Sequence, residues 1–258
     1  DVRYTNVVPL STDGLALHLD REPRFYATIA APGLYWQLGP GSYNRLLVDS
    51  RRGQLFGVTQ DRIISRVRQN LTGYYVKKGT RSDIRLPDYF NGISTFQQGA
   101  TVYMRLAELY LIAAEAWNEY EGPNGTHRDK IFDRLNAVRE RAGIPTVQES
   151  WGEYGINPNK FNEQAGLRDI RREKTIEFMF EGHRFWDVRR WGTAIAEGWN
   201  DKPMAWVVLG ETWQEFFNNG QGPVVVWDDA YFNPARDYLF PIKSEEAMVS
   251  GIVQNPGW

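Results

Sequence analysis

A chain of 258 residues with a net charge of −2, 42% hydrophobic and 24% charged, is long enough to bury a sizeable core and has the composition of an ordinary folded protein. So even a charge balance implies neither a nucleic-acid partner nor an anionic membrane surface. Cys is absent, which excludes disulfides, thiolate metal sites and a cysteine nucleophile, and no apolar run reaches the length of a membrane span.

In chain order, residues 1–100 read as a loop-rich segment. Phe25 to Ala30 is a short apolar run after a polar turn, which predicts a strand or extended piece. APGLYWQLGPGSYN (31–44) carries five Gly or Pro residues, so Tyr35, Trp36 and Tyr43 fall on or near loops. QNLTGYYVKKGT (69–80) predicts part of a hairpin around its Gly. Residues 101–143 predict a helix pair. In the first helix Leu106, Leu109, Tyr110, Ala113, Ala114 and Trp117 line one face; in the second Ile131, Leu135, Val138 and Ala142 do. EGPNG (121–125) breaks the pair, and Gly143 with Pro145 ends it.

Residues 144–169 lack clean periodicity and hold Trp151, Tyr154 and Phe161 beside Asn157, Asn159 and Asn162. A second helical pair is expected over 166–197, bent at Gly182. Ile176, Met179, Phe180 and His183 form one stripe of helical period, and Phe185, Val188, Trp191 and Ile195 another. Its charges read as ion pairs at the edge of a packed helix pair. Trp117, Phe180, Phe185, Trp186 and Trp191 are assigned to the core or to helix packing. Residues 198–258 are again loop-rich, with a short strand at 224–227 and a short helix capped by Ser244, with Glu245 and Glu246 in its first turn. The chain is thus one region without a boundary. Two helical pairs of about 40 residues resemble tetratricopeptide units, of which about three neighbours are needed to bury each face.

No nucleophile elbow, zinc-protease motif, Walker loop or dinucleotide fingerprint occurs, and His18, His127 and His183 lie in separate regions. Glu177 with Glu181, or Asp228 with Asp229, are the carboxylate pairs a hydrolase would need. Carboxylates so placed are more often ion-paired or solvated, and aromatic, Asn-rich loops on a helical frame favour a binding surface.

Several stretches, in order, resemble the SusD/RagB family of outer-membrane nutrient-binding lipoproteins. They are REPRFYATI (21–29), TGYYVKK (72–78), RLAELYLIAAEAWNE (105–119), LNAVRERAGIP (135–145), IRREKTIEFMFEGHRFWDVRRWG (170–192) and FPIKSEEAMVSGIVQNPGW (240–258). The resemblance implies a mainly α fold, a SusD-like α-α superhelix of tetratricopeptide-like pairs with long aromatic-rich loops. It implies a non-enzymatic protein without cofactor on the surface of the outer membrane of a Bacteroidetes-type cell. There it would bind oligosaccharide or polysaccharide beside a SusC-like TonB-dependent transporter, with no nucleic-acid partner. Contact with the membrane would be only through a lipid anchor not present in this chain. A peptide-binding RagB-like member and a tetratricopeptide-type interaction scaffold are the alternatives. The motifs belong to the C-terminal half of a typical member, which identifies the chain with that half. Residues 146–169 are longer than the family's usual connection, and Lys243 stands where a second Pro is common. Loop position, rather than the family, nominates the ligand-binding residues: Tyr35, Trp36, Trp151 and Tyr154 for stacking, Arg45 and Asn157 for hydroxyls. No metal site is expected.

Overall fold

The computed structural model describes residues 9–10, 14–37, 45–58, 70–80, 102–152, 157, 159–226 and 231–258. Nine α-helices occur among them: α1 (Pro23–Thr28), α2 (Leu106–Glu121), α3 (Arg128–Arg141), α4 (Val147–Gly152), α5 (Gln164–Leu167), α6 (Asp169–Glu177), α7 (His183–Trp191), α8 (Trp213–Phe216) and α9 (Ser244–Ser250). The strands form antiparallel two-stranded pairs: β1 (Pro9–Leu10) with β2 (Gly14–Leu15), β3 (Ile29–Ala30) with β6 (Tyr75–Val76), β4 (Tyr35–Gln37) with β5 (Arg45–Leu47), and β7 (Met204–Ala205) with β8 (Val224–Val225). The fold is mainly helical, as expected. No helix among the described residues is long and apolar enough to cross a membrane.

The two predicted helical regions form, with the bend at Gly182, which sits at φ 83°, where a side chain would be strained. α3 buries Ile131, Phe132, Leu135 and Val138 against Leu111 and Ala114 of α2, and Val147, Phe161, Ile170 and Phe178 complete this core. A second cluster, Trp206, Phe216 and Phe217, ties the C-terminal region to Leu17 and Tyr74. Backbone comes so close there that a Cβ at Gly73 would lie 2.7 Å from the Phe216 ring. A third cluster joins Val188 of α7 to Ala194 and Phe232.

Local expectations differ in four places. Residues 23–28 are helical rather than extended, because Pro23 opens the first turn, where a missing N–H costs nothing. Tyr75 and Val76 pair with β3 across the chain rather than within a local hairpin. Ser244 is the first residue inside α9, and Lys243 occupies the cap position without a side-chain bond. Trp227, Asp228 and Asp229 lie outside the described residues, although β8 supports the strand just before them.

The largest difference concerns which faces are buried. α2 buries Leu111, Ala114, Glu115 and Asn118, and turns Leu106, Leu109 and Ile112 to solvent. α6 buries Ile170, Glu173, Lys174 and Glu177. The charges expected at an edge are therefore central.

Candidate functional site

The centre of the helical half is a paired ionic network. Glu173 accepts from Arg24 of α1 at 2.5 Å and from Arg139 of α3 at 2.9 Å. One turn on, Glu177 accepts from Arg24 at 3.1 Å, from Arg141 at 2.5 Å and from Arg105. Arg105 forks on to Glu181, which also meets Lys78 at 2.5 Å. Around the bend, Lys174, 3% exposed, donates to Asp187 at 2.9 Å and lies 3.5 Å from Glu115. Glu115 in turn accepts both Nη atoms of Arg190, at 2.9 and 3.0 Å, and the indole N–H of Trp191 at 2.5 Å.

Burial by itself raises the pKa of Glu177 and Glu115. For Glu177 the bonds and charges of Arg105, Arg141 and Arg24 together outweigh it, and for Glu115 those of Arg190, Trp191 and Lys174 do; both stay below the usual carboxylate range. Glu181 is lowered in the same way by Arg105 and Lys78. Neither Glu177 nor Glu181 is poised to hold a proton, so this pair braces helices rather than acting as general acid and base.

The nominated ligand residues fall into two groups. On the β4–β5 hairpin Gln37 pairs with Arg45 and Tyr35 with Leu47. The Arg45 guanidinium sits 4.3 Å from the centre of the Tyr35 ring, which is 48% exposed. Trp36 points the other way, stacked on Phe56 at 6.2 Å, its indole N–H buried with no partner among the described residues. In the second group Trp151 packs half-buried against the helical core, and the Lys160 ammonium lies 3.3 Å from its ring centre. The backbone N–H of Asn157 donates to the Trp151 carbonyl at 3.4 Å, and its side chain is exposed. Tyr154 and Tyr43 lie outside the described residues. Among the described residues no cluster of three or more His, Asp or Glu side chains could hold a metal ion.

Among the cavities that border α7, two lie on either side of Trp186 and Phe240. A groove of about 680 Å³ runs between α2 and α7, lined by Ile112, Ala116, Trp186, Glu108 and His183. A cleft of about 250 Å³ lies between Trp199, Tyr231, Phe240 and Trp258, with Arg189 in its lining. Trp186 and Phe240 bridge them with ring centres 5.6 Å apart.

The model of the SusD family matches residues 12–258. The chain belongs to the SusD family. Among curated relatives, two SusD-like proteins of Formosa agariphila are similar: P25, 37% identical over 94 residues, and P2, 30% identical over 161 residues. Those matches cover 36% and 60% of this chain but 16% and 25% of the relatives. Two solved structures of BT4246, one a selenomethionine form, superpose over the whole chain with TM-scores of 0.73 at 24% and 25% identity. This SusD-family chain spans 40% and 41% of theirs.

The motifs that carried the resemblance converge on the ionic network of this SusD-family chain. Arg24, Arg105, Glu115, Arg139, Arg141, Glu177, Glu181 and Asp187 all lie in the quoted stretches. Of the residues assigned to the core or to helix packing, Phe180, Phe185 and Trp186 are exposed, Trp186 by 61%, and so are not core, although Phe185 and Trp186 pack against each other and against Phe240. Neighbours in a helix point about 100° apart, so Phe185 and Trp186 cannot share one buried stripe, a signal present in the sequence. Trp117 and Trp191 are half-buried and packed as assigned. The Trp199–Trp258 cleft escaped the sequence reading because its residues come from distant loops.

Proposed function

We propose that the chain is the C-terminal part of a surface-exposed outer-membrane protein that binds oligosaccharides and passes them to a SusC-like TonB-dependent transporter, without altering them. Family membership supports nutrient binding. The observation that carries the glycan reading is the β4–β5 hairpin, which holds an exposed Tyr35 ring beside the Arg45 guanidinium. An aromatic face takes the apolar face of a sugar, and a guanidinium donates to vicinal hydroxyls. Asn157 is a further exposed polar contact. Trp36, turned inward and stacked on Phe56, supports the hairpin. Trp151, with its ring already under Lys160, positions the 157–162 loop.

Calorimetry of the native protein against plant, host and microbial oligosaccharides tests the reading, with mass spectrometry of the sugars after incubation. Binding with intact sugars is expected. Tyr35→Ala is expected to cost about 1 kcal/mol, roughly fivefold in Kd, at unchanged stability. Shortened sugars, or no binding by any member of the panel, would overturn it.

A further inference from the structure

The first turn of α6 gathers cations on one face. Arg168 stands at its cap, and Arg171, Arg172 and Thr175 follow at i+3, i+4 and i+7, positions that lie side by side on a helix. With Ile176, Glu197 and Arg184 of α7 they line a cavity of about 420 Å³, within the range of small-molecule sites. Like charges at these spacings repel, and a helix N-terminus disfavours cations, so the cluster costs the helix stability unless anions answer it. Acids answer part of it. Glu119 takes Arg168 at 2.8 Å and Arg171 at 3.3 Å, and Glu197 takes Arg184. Four guanidiniums thus share two carboxylates. Arg172 is exposed, and its side chain has no ion pair or hydrogen bond among the described residues. Arg171 lies over the Trp191 ring at 4.8 Å, and its Nε is buried without an acceptor among the described residues. A buried donor in that position is uncommon in a folded protein.

The excess of guanidinium over carboxylate points to the chemistry of a ligand. A guanidinium is a planar fork that holds oxyanions through paired bonds, and the helix N-terminus adds its own preference for negative charge. A carboxylate offers two oxygens. A sulfate or phosphate ester offers three around one centre and so serves several forks at once. The Thr175 hydroxyl is already spent, donating to the Arg171 carbonyl and accepting from Arg184 at 3.0 Å, so recognition falls to the arginines. We propose that the cavity beside α6 binds a sulfate or phosphate ester carried by a saccharide, with Arg172 as its principal contact and Arg171 and Arg184 beside it. The site is built from other residues than Tyr35 and Arg45. It goes beyond the glycan reading and rests on it only in taking a sugar.

Calorimetry of the native protein with maltohexaose, its chemically sulfated form and its phosphorylated form makes the test. At least one ester is expected to bind about tenfold tighter than the neutral sugar, with a gain that shrinks as salt rises, and the tighter of the two identifies the ester. Arg172→Gln, which breaks no described contact, is expected to leave Tm unchanged and to weaken ester binding about tenfold. Lys243→Gln removes another exposed cation, far along the chain, and is expected to weaken it not at all. Esters that bind no tighter than the neutral sugar would overturn the proposal, as would equal losses from both variants or none from Arg172→Gln. Displacement of the ester by hexaglutamate at equal concentration would also overturn it, in favour of an acidic protein segment. Any of these failures beside binding of neutral oligosaccharides leaves the glycan reading standing, whereas failure of every sugar, esters included, ends both.

Discussion

α2 and α3 form one antiparallel pair around a shared core, but only α2 also buries polar side chains. α3 puts Ile131, Phe132, Leu135 and Val138 inward and its Arg and Asp residues outward or onto partners. α2 puts one acid, Glu115, and one amide, Asn118, among its buried residues beside Leu111 and Ala114, and leaves Leu106 and Leu109 in water. The difference teaches that helical period marks a face without saying what lies opposite it. The buried face of α3 meets the apolar core, whereas α2 shares that core through Leu111 and Ala114 and also meets Lys174, Arg190 and Trp191, whose donors the Glu115 carboxylate satisfies.

The contrast can be broken most sharply at its charged side. Glu177→Ala leaves Arg24, Arg105 and Arg141 without their shared acceptor and is expected to cost about 3–5 kcal/mol in denaturant unfolding. Leu135→Ala on the conventional helix is expected to cost about 2–5 kcal/mol, through lost burial and a cavity. The network also sets an acid limit. His18 is buried, its Nδ1–H donating to the Pro32 carbonyl and its Nε2 accepting from Tyr74. Burial lowers its pKa from 6.5 to about 4. A lowered pKa stabilises the fold fully above the unfolded value. That contribution is therefore lost as pH falls from 6.5 to about 4, a loss of roughly 3 kcal/mol. The lowered acids Glu115 and Glu177 add a further loss below 4.5. Stability measured against pH should show both stages, and His18→Phe should remove the first. The smallest effect sharpens the comparison most. Leu109→Ala on the outward face of α2 is expected to shift the stability of the 258-residue chain by no more than about 0.5 kcal/mol.

Much of the frame was legible. The helix pair at 106–141, the bend at Gly182 and the order of motifs follow from periodicity, breakers and charge. The burial of Glu115 and Asn118 on α2 was not, because the cations that meet Glu115 lie far along the chain. At the candidate site, turn chemistry placed Tyr35 and Arg45 in one region, and the hairpin register then set them in contact. Sequence position put Trp151 on a loop, but Lys160 and the α3 side of the core claim it. The carboxylates Glu177 and Glu181 are ion-paired, as the sequence favoured, but with partners from four distant stretches that spacing could not name.

Sequence distance gives the buried acid of α2 a consequence in time. Glu115 waits for Lys174, 59 residues later, and for Arg190 and Trp191, 75 and 76 residues later. Arg24 waits 149 residues for Glu173. Such long-range closure slows folding. A nascent chain that has passed α2 but not α7 leaves Glu115 without Arg190 and Trp191. Truncated chains ending before residue 182 should therefore be cut readily by protease across 106–121, and the same stretch should become resistant once residue 191 is present. The last helix of the frame acts as its latch.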